Sequence, residues 1–195
     1  MIVFYTNGHL AWLTIAKNAC TSWSQVFSDM AWRREDLYSP STPLNELKFF
    51  GFLRDPDVRH DMGVAQYLYT EHLESLLIDL KYQRLCASAV FDEHSYSIHS
   101  SMPSQVLDSA TWFVMDHKYY DYENLVRNFL KSHGIDLPLI PKLNQSSPQL
   151  KLLQNQVAEL KKQYPDQHAK LAKNFLAADL KLYRTVIQQQ HIWDQ

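Results

Sequence analysis

Short apolar runs alternate with stretches of helical periodicity along most of this chain. Met1 to Tyr5 and His9 to Ile15 are apolar, and Thr6-Asn7-Gly8 separates them. Asn-Gly between two apolar runs predicts a hairpin. Trp23, Val26, Phe27, Met30 and Ala31 then fall on one helical face, predicting a helix from about Thr21 to Arg34. Residues 35 to 48 carry charges, Pro40, Pro43 and several serines, and read as a surface loop. Lys48-Phe-Phe-Gly-Phe-Leu53 is a second buried strand, closed by Arg54-Asp55-Pro56. Asp57 is placed to cap the next helix, whose apolar face runs from Val58 through Met62, Ala65 and Leu73 into the low eighties.

The second half continues the alternation. Arg84 to Phe91 fits either helix or strand, and the Ser- and His-rich stretch from Asp92 to Gln105 reads as a loop. Ala110-Thr-Trp-Phe-Val-Met115 predicts a third buried strand. Tyr122 to Ser132 has Leu125, Phe129 and Leu130 at helical spacing, with Gly134 as a natural C-terminal stop. Leu137 to Pro148 holds two further prolines and reads as a loop. Leu150, Leu153, Val157 and Leu160 predict a helix ending at Pro165, and a last helix runs from about Asp166 to Gln190. Strands alternating with helices predict an α/β fold: one domain over residues 1–195, with a central, mostly parallel sheet flanked by helices in three layers and a helical C-terminus. Ligands in such sheets bind beyond the carboxyl ends of the strands, where Lys17 and Arg54 both fall.

Composition narrows the partners. With 46% hydrophobic and 13% aromatic residues, the chain is not disordered. A net charge of −2 gives no reason to expect nucleic acid. Two cysteines, Cys20 and Cys86, make neither a disulfide scaffold nor a zinc cluster. His94 and His99 lack a carboxylate or thiol set at ligand spacing, so no metal is expected. No stretch approaches a membrane span, and the N-terminus opens on a strand pattern without a leader. A cytoplasmic protein, monomeric or homodimeric, is expected.

The chemistry concentrates in Ile15-Ala-Lys-Asn-Ala-Cys-Thr-Ser-Trp23. A strand, a short turn bearing one lysine and a helix opening on Thr21-Ser22 form an anion cradle. Unpaired N–H groups and the partial positive charge of a helix's first turn suit a phosphate. The stretch lacks the glycines and the adjoining Lys-Ser/Thr of a P-loop. It resembles instead the 5′-phosphosulfate loop of carbohydrate-type sulfotransferases, which use 3′-phosphoadenosine 5′-phosphosulfate (PAPS). That loop often reads Pro-Lys-x-Ala-Cys-Thr-Ser-Trp; Lys17, Ala19, Cys20, Thr21, Ser22 and Trp23 match, and Ala16 stands where proline is usual.

Arg54-Asp55-Pro56-Asp57-Val58-Arg59 resembles the 3′-phosphate motif of the same family, Arg-Asp-Pro-x-x-Arg-x-x-Ser-x-Tyr. A guanidinium offers paired donors to a phosphate and stays charged. The family serine is Met62 here and the tyrosine is Val64, so either another group such as His60 or Arg59 replaces the lost hydroxyl or 3′-phosphate binding is weaker. Tyr122-Glu123-Asn124-Leu125 and Leu143-Asn144-Gln145-Ser146 echo two later family segments in the family's order, the second beside Lys142. The resemblance implies a P-loop-related sulfotransferase fold and in-line transfer of a sulfuryl group from PAPS to a hydroxyl or amine. The acceptor would be a glycan, a lipid headgroup or a small alcohol.

By that resemblance Lys17 would act on the bridging oxygen and sulfuryl group. Asn18, Ala19, Cys20, Thr21 and Ser22 would hold the 5′-phosphate, and Trp23 would lie near adenine or pack in the core. Arg54, Arg59 and the Met62 position would meet the 3′-phosphate, with Asn144 and Ser146 near the nucleotide. The base is His60 or His99, a histidine being suited by a pKa of roughly 6.5. Two other readings stand beside this one. One is a binding or assembly protein that kept the fold and lost turnover. The other is a nucleotide phosphotransferase, disfavoured by the missing P-loop glycines.

Overall fold

A computed structural model describes residues 3–70, 97–115, 121–141 and 147–193. The expected helical continuation beyond Thr70, the ambiguous stretch from Arg84 to Phe91 and the Asn144–Ser146 loop lie outside the described residues. The architecture is α/β, with one five-stranded mixed sheet and helices. The chain divides into two compact units. The first comprises residues 1–54, 102–144 and 183–195; the second comprises 55–101 and 145–182. No helix among the described residues is long and apolar enough to cross a membrane.

The first unit holds the whole sheet, in the order β3-β1-β2-β4-β5. β1 (Val3–Thr6) and β2 (Leu10–Leu13) form the expected antiparallel hairpin. Its turn has Gly8 at φ 96°, and the Asn7 Oδ1 accepts the amides of His9 and Leu10. β4 (Lys48–Leu53) runs parallel to β2, and β5 (Thr111–Val114) runs parallel to β4. β3 (Arg33–Asp36) pairs antiparallel with β1 at the edge. Half of the strand pairings are therefore antiparallel, and the sheet is mixed.

β3 corrects two expectations at once. Helix α1 (Cys20–Asp29) stops five residues short of Arg34, and the supposed loop begins as a strand. Ala31 sits at φ 60°, and the amides of Ala31 and Trp32 donate to the carbonyls of Ser28 and Phe27. That paired closure ends the helix whatever the periodicity beyond it suggests. Arg-Arg-Glu-Asp has no intrinsic strand character; the open edge of β1 supplies it. Glu35 then holds the following loop by accepting from the Ser41 amide (2.6 Å) and hydroxyl (2.7 Å).

One sheet face carries Leu10, Trp12, Phe50, Phe52 and Phe113, and α1 buries Trp23, Val26 and Phe27 among them. The second unit opens with α2 (Pro56–Thr70). Asp55, rather than Asp57, caps it: its Oδ1 accepts the amides of Asp57 (2.9 Å) and Val58 (3.3 Å). Proline at the first helical position needs no such partner, and the helix starts two residues earlier than a cap at Asp57 would give. α3 (Ile98–Ser101) and α4 (Ser104–Ser109) occupy part of the expected Ser-rich loop.

α4 belongs to the first unit and lies on the sheet face opposite α1. The Trp112 indole packs over Gly51 there and donates to the Leu107 carbonyl at 3.2 Å. α5 (Tyr122–Ser132) has the expected bounds and contributes Tyr122, Val126 and Leu130 to the α1 face. Gly134, at φ 75°, closes it. In the second unit α6 (Pro148–Gln163) packs Leu153, Val157 and Leu160 against Val64, Ala65 and Leu68 of α2. The expected last helix comprises α7 (Pro165–Leu171), a π-helical turn (Ala172–Leu176) and α8 (Ala177–Trp193). The division between units falls within α8. In the first unit Gln190 donates to the Trp112 carbonyl (3.3 Å) and accepts from the Val114 amide (3.4 Å), closing the outer edge of β5.

Candidate functional site

β2 and β4 are parallel neighbours, with Leu13 opposite Gly51. Their carboxyl ends therefore leave the sheet on one edge, β2 toward Lys17 and β4 directly into Arg54. The turn between β2 and α1 is tight and strained. Lys17 has φ 66° and Ala19 has φ 55°, a left-handed conformation unusual for residues with a Cβ. Between them Asn18 is buried; its amide donates to the Ile15 carbonyl at 3.2 Å and its Nδ2 to the Phe52 carbonyl of β4 at 2.5 Å.

Helix α1 begins on Ala19, which offers no capping side chain, and its first turn has no acidic residue. Most helix starts recruit Ser, Thr, Asp or Asn for that purpose. The Trp23 amide turns back along the helix, donating to the Ala19 carbonyl. The half-buried Cys20 and Ser22 and the exposed Thr21 open this turn. Successive amides in a left-handed turn leading into a helix make a concave, positively polarised surface.

Arg54 is half-buried. Burial pushes its pKa down, while the neighbouring Tyr122 phenol and Cys20 thiol act in the opposite sense. The Tyr122 phenol is itself pushed up by burial. Since Cys20 opens α1 and Tyr122 opens α5, Arg54 stands beside both helix starts. The structure thus brings Lys17, Asn18, Ala19, Cys20, Thr21, Ser22 and Arg54 to one edge of one unit. Trp23 points inward instead. It is fully buried, stacked on Phe27 with ring centroids 5.7 Å apart and 4.7 Å from Phe52. Core packing is its observed role.

The other candidates lie in the second unit. Arg59 is 2% exposed and faces Asp179 at 3.5 Å. His60 is equally buried, with Nδ1 3.8 Å from Asp61. Neither side chain is presented to solvent. Met62 is half-buried on α2. His99 differs from His60: its side chain is 38% exposed, and its Nδ1 lies 2.8 Å from the Asp179 carboxylate. Such a pairing fixes the orientation of the ring.

Asp179 is the residue that reading the sequence missed. Its buried carboxylate accepts the Ser97 hydroxyl (2.9 Å) and the amides of Ile98 (2.8 Å) and His99 (3.1 Å), besides facing Arg59. One signal was available. Asp179 sits on the apolar stripe of its helix, between Leu176 and Tyr183, where a solvated carboxylate does not belong. A second charged cluster joins α2 to α6: Lys161 Nζ bonds Asp57 (3.2 Å) and Asp61 (3.1 Å), and His168 Nε2 lies 3.3 Å from Asp57. The His168 hydrogen bond and the Lys161 charge outweigh burial and bring the Asp57 carboxyl down to about 2.

Compared with known proteins, the chain matches no family model, no curated protein and no solved structure.

Proposed function

We propose that this chain is a PAPS-dependent sulfotransferase of carbohydrate type, on a P-loop-related fold. One observation carries the reading. An uncapped helix start with a strained, lysine-bearing turn stands beside Arg54, at the end of the neighbouring parallel strand. Two anion-binding elements on adjacent strand ends suit a ligand with a phosphate at each end of a nucleoside. The motifs Lys17-x-Ala-Cys-Thr-Ser22 and Arg54-Asp-Pro56 resemble the loops that hold the 5′-phosphosulfate and the 3′-phosphate.

The donor residues fit such a group. The first-turn amides and the Thr21 and Ser22 hydroxyls would hold the 5′-phosphate, and Lys17 would neutralise charge on the oxygen bridging phosphorus and sulfur. Arg54 would take the 3′-phosphate in paired hydrogen bonds. In the transfer an acceptor oxygen bonds to sulfur while the bond from sulfur to the bridging oxygen breaks. Charge accumulates on the leaving phosphate, so donors fixed there lower the barrier. The acceptor's proton goes to a base, for which the resemblance offers His60 and His99. The acceptor class implied is a hydroxyl of a glycan, lipid headgroup or small alcohol.

Calorimetry with adenosine 3′,5′-bisphosphate tests the reading. Binding is expected, and Lys17→Ala and Arg54→Ala are each expected to weaken it by roughly ten- to a hundredfold, the worth of one charged hydrogen bond. Binding of ATP with Mg²⁺ and not of the bisphosphate would sink it in favour of a phosphotransferase. One observation favours a second reading, binding without turnover: Met62 stands where the family serine would donate to the 3′-phosphate. Transfer of labelled sulfate from PAPS to an acceptor panel separates the two.

A further inference from the structure

The family motif leaves the Asn18 side chain open, and the structure commits that side chain to β4, so only the backbone of Asn18 is left for the 5′-phosphate. Asn18 lies between two left-handed residues, is 1% exposed, and donates its Nδ2 to the carbonyl of Phe52 at 2.5 Å. Phe52 is two residues before Arg54 on β4. That hydrogen bond is a cross-strand strut between the amide-lined turn and the strand that delivers the guanidinium. The turn also has bonds of its own: Asn18 amide to Ile15 carbonyl and Trp23 amide to Ala19 carbonyl. Removing the strut therefore frees the turn from β4 without dismantling it. We propose that Asn18 is a positioning residue that sets the span between the turn and Arg54, and so selects ligands with two phosphate groups at that spacing.

The inference rests on the phosphate-binding reading of this edge. It concerns a different quantity, the advantage of a doubly phosphorylated ligand over a singly phosphorylated one. A ligand held by the turn alone is indifferent to where Arg54 stands; one held at both ends is not.

The test compares adenosine 3′,5′-bisphosphate with adenosine 5′-phosphate by calorimetry on the full chain. The unsubstituted chain is expected to prefer the bisphosphate. Asn18→Ala is expected to lower bisphosphate affinity about tenfold, the value of one lost hydrogen bond, and to leave monophosphate affinity within about threefold. The preference then shrinks. Asn18→Leu keeps the bulk, removes the donor without adding charge, and is expected to act likewise; it serves if the alanine variant does not fold. An equal loss for both ligands would make Asn18 merely structural and overturn the proposal, as would unchanged affinities. Failure of the unsubstituted chain to bind either ligand would overturn the phosphate-site reading itself, and this inference with it.

Discussion

Ala31 shows how one residue's backbone can oppose its side chain. At φ 60° it occupies the left-handed position after α1, in a closure where glycine is the usual choice. Ala31→Gly relieves that strain, and a gain of about 1 kcal/mol in urea unfolding is expected. Gly51 is the converse. A Cβ there would lie 2.6 Å from Cζ3 of Trp112, which is itself tied to the Leu107 carbonyl. Gly51→Ala is expected to destabilise by about 1–3 kcal/mol, since the indole has no room to yield. An unchanged unfolding midpoint would show that Trp112 moves freely. Lys17 and Ala19 carry the same left-handed strain as Ala31, but in the anion turn, where strain held by the surroundings marks function more often than accident.

The helices of the second unit are tied by charge as well as by apolar packing. Asp57 and Asp61 on α2 share Lys161 of α6, and His168 of α7 adds to Asp57. The Asp57 carboxyl falls from its ordinary 3.8 to about 2 in the folded chain. A depressed carboxyl stabilises the fold above its unfolded value and loses that contribution as pH falls through the folded one. The side chain is 37% exposed, so screening leaves about 1 kcal/mol. Wild type is expected to exceed Asp57→Asn by that amount at pH 6, with the gap closing between pH 4 and pH 2. A gap constant over that range would rule out the linkage. Asp179 anchors more. Asp179→Ala leaves the buried Arg59 charge without its carboxylate and strips α3 of its acceptor, at an expected cost of about 3–5 kcal/mol by denaturant unfolding.

For the chain as a whole, ligand linkage is the broadest test. A bisphosphate bound only by the folded state adds about 2.7 kcal/mol at a hundred times its dissociation constant. Thermal unfolding is expected to shift upward with ligand in wild type and by less in Arg54→Ala. The two compact units interleave along the sequence, each built from separated segments. Two of the four boundaries fall inside the Arg54-Asp55 motif and inside α8, where local patterning is continuous and nothing announces a division.

The hairpin, β4, β5, α1's start, α5 and the α6 stripe were written in local pattern. Asn-Gly, dense apolar runs and 3.6-residue spacing act over a few residues and need no distant partner. The lysine turn and Arg54 were legible for the same reason, as residue types beside predicted strand ends. β3 was not legible, because four charged residues become a strand only against the edge of β1. Nor was the placement of Trp23 and the histidines. Trp23 and His60 are buried, while His99 is partly exposed and paired with a carboxylate 80 residues away. Sequence spacing dictates which residues share an element; only the folded chain decides which of them meet water and which meet each other, because burial and pairing depend on contacts between distant segments.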